Sequence, residues 1–317
     1  MSWLKGGLTG VERGEMTGEH RYRIYGLTLS SPRPLPFLWP EPDPARPVEA
    51  VLRFAPVAVP AAAAVRQARR LSIYADGTGL HQAVRGARFL IRGGREITVD
   101  LPPETSEAEL HALLCGPPLG WLMCQRGLPP MHACVVAVGA VAVALAGDSG
   151  AGKSTLARTL IARGHGLVSD DQAVIDPATR LVHPGFPAMK LWAGTAALAG
   201  DDVEPGRRVR DGLEKYVTPM PDAFRADPLP LGLVLVLSRG PHRQPERSDS
   251  HAATALLLRC LYRPEFSRGL DQGRIALHWG VTLARTVPVF RLERSDDLAD
   301  LPALAASVEA LVTGHPS

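Results

Sequence analysis

Eight consecutive residues, Gly147-Asp148-Ser149-Gly150-Ala151-Gly152-Lys153-Ser154, have the spacing GxxxxGK[ST] of loops that hold phosphate groups. Each residue type has a chemical reason. Glycines let the backbone amides turn inward as an anion-binding nest, and a helix that begins at the loop adds partial positive charge. The Lys153 ammonium can neutralise β- and γ-phosphates, and the Ser154 hydroxyl suits the coordination shell of Mg²⁺. An apolar run enters the loop and a helical pattern leaves it. The segment reads as a nucleotide-binding loop.

A second cluster follows at Ser169-Asp170-Asp171, where the next apolar segment ends. Such strand ends line the ligand crevice of α/β sheets. Phosphoryl transfer needs one group to hold the metal and another to orient or deprotonate the acceptor hydroxyl. Two adjacent aspartates at a strand end are expected to point to opposite sides and could divide these tasks. Spacing alone does not say which does which, and an Asx turn capping the strand is the plainer use of the pair. His132 heads the strand that leads toward the loop, either as a structural edge residue or as a contact to phosphate or acceptor.

Lysine is rare here. Of 35 lysines and arginines only Lys5, Lys153, Lys190 and Lys215 are lysine, and a compact ammonium does what a guanidinium fork cannot. Lys190 and Lys215 are candidates for clamping phosphates or the acceptor, against the plainer role of solvated surface charge.

The elements that must position these groups show in the hydrophobic pattern. Residues 1–105 read as a smaller β-rich N-terminal module. It has strands near Tyr22–Leu29 and Val51–Phe54, a Pro-rich loop to Pro47, and a short helix over the alanine-rich Ala61–Arg70. Hairpins are expected at Asp76-Gly77 and Gly93-Gly94. Residues 106–127 read as bridging helices. The first opens with the capping-box spacing Ser106…Glu109, Gly116-Pro117-Pro118 breaks it, and a second starts at Trp121. Residues 128–317 alternate strand and helix as an α/β domain does. Strands are expected at Ala133–Val138, Val141–Ala146, Leu167–Val168, Leu231–Leu237 and Val287–Leu292, and helices at Lys153–Ala162 and Leu298–Val312.

Composition removes several function classes. The chain has 317 residues, 45% hydrophobic and 21% charged, the mix of a globular protein with room for two domains. A formal charge of +3 and 5% aromatics argue against a nucleic-acid partner. The apolar run Ala133–Gly147 is shorter than the roughly 18 residues of a membrane span. No apolar run follows the first positive charge, so no signal peptide is expected, and the expected location is the cytoplasm. Cys115, Cys124, Cys134 and Cys260 have no zinc-like spacing and are expected as free thiols.

The run from His132 through the loop to Arg163-Gly-His-Gly-Leu-Val-Ser-Asp-Asp171 resembles the catalytic domain of HPr serine kinase/phosphorylase. That resemblance implies an α/β P-loop kinase domain, ATP and Mg²⁺ as cofactors, and a serine hydroxyl as acceptor. It implies that Gly147, Asp148, Ser149, Gly150, Ala151, Gly152, Lys153, Ser154 and Thr155 bind the nucleotide, and that Ser154 and Asp170 hold Mg²⁺. Asp171 would act as base and His132 would sit near the transferred phosphate. The sequence departs from that family in three places. No Glu-x-Arg-Gly run follows Asp171, the loop ends Ser154-Thr155, and the N-terminal module is unlike the HPr-kinase one. Phosphorylase activity is therefore not expected. Over the whole chain, Pro184-Gly-Phe-Pro187…Lys190-Leu-Trp192 and Val287-Pro-Val-Phe-Arg-Leu are more similar to the HPr-kinase-like proteins of lasso and other ribosomal-peptide biosynthesis. They imply a precursor peptide as acceptor, with the N-terminal module helping to recognise it. Alternatives are a kinase of HPr or another small protein, a small-molecule kinase, and a non-catalytic ATP-binding regulator.

Overall fold

The computed structural model describes residues 19–314 apart from 69, 202, 203, 205, 206, 210, 211, 242, 243 and 269–271. The expectation of no leader segment, and Lys5, fall on residues 1–18, outside the described residues.

The N-terminal part is a nine-stranded mixed sheet. Its strands are β1 (His20–Ile24), β2 (Leu27–Ser31), β3 (Trp39–Pro40), β4 (Ala50–Phe54), β5 (Arg66–Ala68), β6 (Leu71–Ile73), β7 (Gly79–Gln82), β8 (Arg88–Arg92) and β9 (Glu96–Asp100). They lie in the order β3-β1-β2-β4-β9-β8-β7-β6-β5. Both expected hairpins form, β6–β7 and β8–β9. The helix expected over Ala61–Arg70 does not: β5 takes up part of its C-terminal half and pairs with β6. Four alanines without an N-cap are too short a run to pay for helix nucleation, and strand pairing wins.

Two helices follow, α1 (Glu107–Leu114) and α2 (Pro117–Gln125). The Ser106–Glu109 capping box is present in both directions. Pro117, expected to stand outside a helix, instead opens α2 at a position where a missing N–H costs nothing. Every residue of α2 from Pro117 to Cys124 is buried.

The remainder carries β10 (Ala133–Val138), β11 (Val141–Gly147), α3 (Lys153–Ala162), β12 (Gly166–Ser169), β13 (Val174–Ile175), β14 (Leu181–His183), β15 (Ala188–Trp192) and α4 (Ala193–Leu198). Then come β16 (Lys215–Pro219), β17 (Leu229–Arg239), β18 (Glu246–Arg247), α5 (Ser250–Arg259), α6 (Gln272–Thr286), β19 (Val289–Arg294) and α7 (Leu301–Thr313). The main sheet runs β12-β10-β11-β17-β14-β13, with β19 also on β17. β11 pairs parallel with β17, and β17 parallel with β19, while β10 is antiparallel to both its neighbours. β15 and β16 form a separate two-stranded ribbon. The architecture is α/β with mixed sheets.

The core crosses from one part to the other. Tyr22, Leu29, Phe89 and Val99 of the first sheet share one buried cluster with Leu119 and Trp121 of α2 and with Phe186, Ala188, Val217 and Phe266. The β1–β2 turn is driven into that junction: Tyr25 is 1% exposed, and its N–H donates to the Pro184 carbonyl at 2.8 Å. Full burial of one such large side chain contributes about 1.5–3 kcal/mol. All four cysteines are buried free thiols. No helix among the described residues is long and apolar enough to cross a membrane.

Candidate active site

Strand direction assembles the site. Because β11, β17 and β19 are parallel, their C-terminal ends finish side by side, with Gly147 opposite Leu237, Leu237 opposite Leu292, and Arg239 opposite Arg294. The Gly147–Ser154 loop springs from that edge and feeds straight into α3. Two glycines there have no substitute. Gly147 has φ +128°, and a Cβ would run into the Leu237 carbonyl oxygen. Gly152 has φ +92°, and a Cβ would stand 2.5 Å from the Arg294 Nε. The positive φ strains a side chain at both positions, and at Gly147 the obstacle is backbone as well.

The loop is held from three sides by cations. Lys153 Nζ donates to the Gly147 and Asp148 carbonyls at 2.7 and 3.0 Å. Arg239 Nη2 donates to Gly150 O at 3.2 Å, and Arg294 Nε to Ala151 O at 2.9 Å. Burial pulls the Lys153 pKa below its ordinary value, against the pull of Asp171 and Asp170. Arg294 is 5% exposed, and its Nη1 is buried without a hydrogen-bond partner among the described residues.

Opposite the loop lie the two aspartates. Asp170 is 2% exposed. Its Oδ2 accepts from the Lys190 backbone N–H at 2.8 Å, and its Oδ1 stands 3.5 Å from the Ser154 hydroxyl. The alternation expected from an extended strand does not hold here. Asp171 has φ +69°, which breaks it, and both aspartates line one cavity of about 470 Å³ together with the loop. Asp171 is gripped from two sides. His132 Nδ1 lies 3.4 Å from its Oδ1 and 3.0 Å from its carbonyl, and Lys190 Nζ lies 3.4 Å from its Oδ2.

Burial acts to raise the Asp171 pKa, but Lys190, His132 and Lys215 outweigh it and hold the carboxyl well below the ordinary range. Burial acts to lower the Lys190 ammonium, but Asp171, with Tyr262, Cys115 and Asp170 adding to it, raises it above its ordinary value. The stability from Asp171 is present above its unfolded pKa of about 4 and is lost as pH falls through the depressed folded value. That from Lys190 is present below its unfolded value of about 10 and is lost as pH rises through the raised folded value. The expected result is a Tm advantage of wild type over Lys190→Met that is flat from pH 5 to 9 and shrinks in strong acid. An advantage that varies steeply across neutral pH contradicts the pairing.

Every candidate site residue named from the sequence is therefore within this neighbourhood. Lys190 is not surface charge: its side chain is 6% exposed and salt-bridged. Lys215 faces Trp192 across the ribbon, 5.9 Å from the indole ring, and lines the same cavity. The sequence did not expose Arg239, Arg294, Trp192 or Thr195, all of which also line it. Arg294 had one available signal, its position at the end of a strong apolar strand.

Among the described residues no cluster of three His, Cys, Asp or Glu could hold a metal on its own. Mg²⁺ takes one or two protein oxygens and completes its shell with water and substrate phosphates. Ser154 Oγ and Asp170 Oδ1, 3.5 Å apart, are two oxygens that would be available to such an ion.

Residues 128–184 match the family model of the HPr Serine kinase C-terminal domain. The matched segment is HPr-kinase-like and contains His132, the loop, α3 and both aspartates. The Hpr(Ser) kinase/phosphatase from Coxiella burnetii aligns with 59% of this chain and 89% of its own, at 17% identity and a TM-score of 0.29. No curated protein matches the sequence.

Proposed function

We propose that this chain is an ATP-dependent serine kinase, active in the cytoplasm, whose acceptor is a peptide or small protein, in the first place a ribosomally made precursor peptide of the lasso type. One observation carries the kinase reading. A glycine loop, a hydroxyl–carboxylate pair and a second, ion-paired carboxylate all face one cavity at the ends of parallel strands. The HPr-kinase-like segment supports it, since it contains all three.

In this reading the loop amides and Lys153 bind the β- and γ-phosphates, with Arg294 Nη1 as a further donor. Ser154 and Asp170 hold Mg²⁺, which supplies charge neutralisation on the phosphates. The acceptor oxygen forms its bond to the γ-phosphorus as the β–γ bridging bond breaks, and ADP leaves. Asp171 accepts a hydrogen bond from the attacking hydroxyl and takes its proton. With its pKa depressed, Asp171 is a weak base. Orienting the hydroxyl is its larger contribution, as fits a loose transition state that asks little of a base. His132 and Lys190 keep Asp171 ionised and aimed. Residues 128–317 form the kinase domain, 106–127 bridge, and 1–105 help recognise the acceptor.

The test is mass spectrometry after incubation with Mg²⁺ and ATP, with HPr in one reaction and a serine-containing lasso precursor in another. A phosphoryl adduct on the peptide that disappears in Lys153→Ala supports the proposal; an adduct on HPr alone moves it to carbon regulation. ATP binding with no adduct on either overturns the peptide acceptor and leaves another acceptor or a non-catalytic regulator. Two further outcomes are expected. Arg294→Met weakens ATP binding by about tenfold, the loss of one charge-assisted hydrogen bond. Inorganic phosphate added to the phosphorylated peptide releases no pyrophosphate, because the Glu-x-Arg-Gly run is missing.

A further inference from the structure

Asp171 separates the loop cavity from a second one. This cavity has a volume of about 430 Å³ and shares Asp171 and Lys215 with the first. That is ample for a bound segment, since ligand sites span about 300–1,000 Å³. Three parts of the chain build its walls. Arg70 and His81 come from the β5–β6 turn and β7, Gly116 and Pro117 from the α1–α2 junction, and Lys190, Lys215 and Arg263 from the kinase half.

The charge of this lining is one-sided. Arg70, Lys190, Lys215 and Arg263 face it, and among the described residues Asp171 is its one carboxylate, already paired with Lys190. Arg263 is approached by Glu265 at 3.9 Å. Among the described residues no carboxylate lies within salt-bridge distance of Arg70 or Lys215, whose ammonium stands 5.9 Å from the Trp192 ring and acts on Asp171 from farther off. His81 is 5% exposed, and its Nδ1 has no hydrogen-bond partner among the described residues. Burial, with Arg263 adding to it, pushes the imidazole down to about 4, so at neutral pH it is an uncharged hydrogen-bonding group. Cations crowded around a cavity with too few anions repel one another, and an incoming anion relieves that repulsion.

Resting on the kinase reading above, we propose that this second cavity binds the acceptor through an anionic group, a carboxylate within one or two residues of the hydroxyl. Arg70 and Arg263 receive the carboxylate on the N-terminal side of Asp171. The hydroxyl then reaches Asp171 from the face opposite the nucleotide loop. Lys215, common to both cavities, stands between the donor phosphates and the acceptor's charge. Acceptor choice is thus written into residues from both halves of the chain, and a neutral or basic flank is disfavoured by repulsion.

Binding is tested on the full-length protein with a non-hydrolysable ATP analogue, using serine heptapeptides flanked by Asp, Asn or Lys. Each is made with a free and an amidated C-terminus. The Asp peptide is expected to bind about tenfold tighter than the Asn peptide, as for one charge-assisted contact, and the gap should narrow at high salt. Arg70→Ala should remove most of that gap and Arg70→Glu should turn the preference toward the Lys peptide, both without changing affinity for the ATP analogue. A preference that follows Asp regardless of amidation assigns the anion to a side chain; binding that is alike for all flanks with a free C-terminus and is lost on amidation assigns it to the chain terminus. Equal binding of all three flanks that amidation leaves unchanged, or binding of none, overturns the inference. A clear Asp preference with no phosphoryl transfer to any peptide when Mg²⁺ and ATP replace the analogue keeps the anion site and overturns the kinase reading instead.

Discussion

Lys153→Ala lowers kcat/KM for phosphoryl transfer by about 10³-fold, the scale of removing a preorganised charge from a developing transition state. Two losses combine. The β- and γ-phosphates lose the ammonium that neutralises them, and the loop loses the clamp that binds the Gly147 and Asp148 carbonyls. ATP affinity therefore falls together with the rate. Lys153→Arg is not expected to rescue either, because a planar fork cannot occupy a site built around a compact, buried ammonium. Single-turnover transfer and ATP titration check both parts. A variant within tenfold of wild type in transfer removes the loop from the mechanism.

Asp171→Asn lowers kcat by about 10³-fold, within the usual contribution of a positioned acid–base group. It also leaves the Lys190 ammonium buried without its counter-ion, which costs about 3 kcal/mol. The double variant Asp171→Asn/Lys190→Met should regain most of the lost Tm and none of the activity. Recovery of activity in the double variant means that Asp171 serves structure alone. Asp170→Asn should differ in kind, raising the Mg²⁺ concentration needed for half-maximal rate. If both single variants respond to Mg²⁺ alike, the division between the two aspartates is wrong.

Much of this was legible where one local signal sufficed. The capping box at Ser106, the two glycine-marked hairpins and the apolar strand entering Gly147 are written in adjacent residues, and all appear as expected. What was hidden depends on pairing across long stretches. Nothing near Lys190 or Lys215 in the sequence says that β15 and β16 pair over the intervening residues and turn both toward Asp171. Arg294 lies far along the chain from Gly152 and meets it only because β17 is inserted between β11 and β19. The misplaced helix at Ala61 shows the reverse error, where local propensity lost to a partner strand. Asp171 escaped the alternation rule because its backbone turns left-handed at the strand's end.

The apolar cluster that runs from the first sheet through α2 to Phe186 and Phe266 bears on how the molecule comes apart. Two modules with separate cores melt in two steps; a shared core couples them into one cooperative unit. Calorimetry should then show a single transition, and amides of β8 and β10 should exchange with deuterium at similarly slow rates. Removing residues 1–100 would strip Tyr25 from Pro184 and expose Trp121, so the remainder would lose its fold along with its recognition surface. Evolution of acceptor choice in such a chain is constrained accordingly: substitutions can drift at the rim around Arg70, while the sheet beneath it stays tied to the folding of the catalytic half.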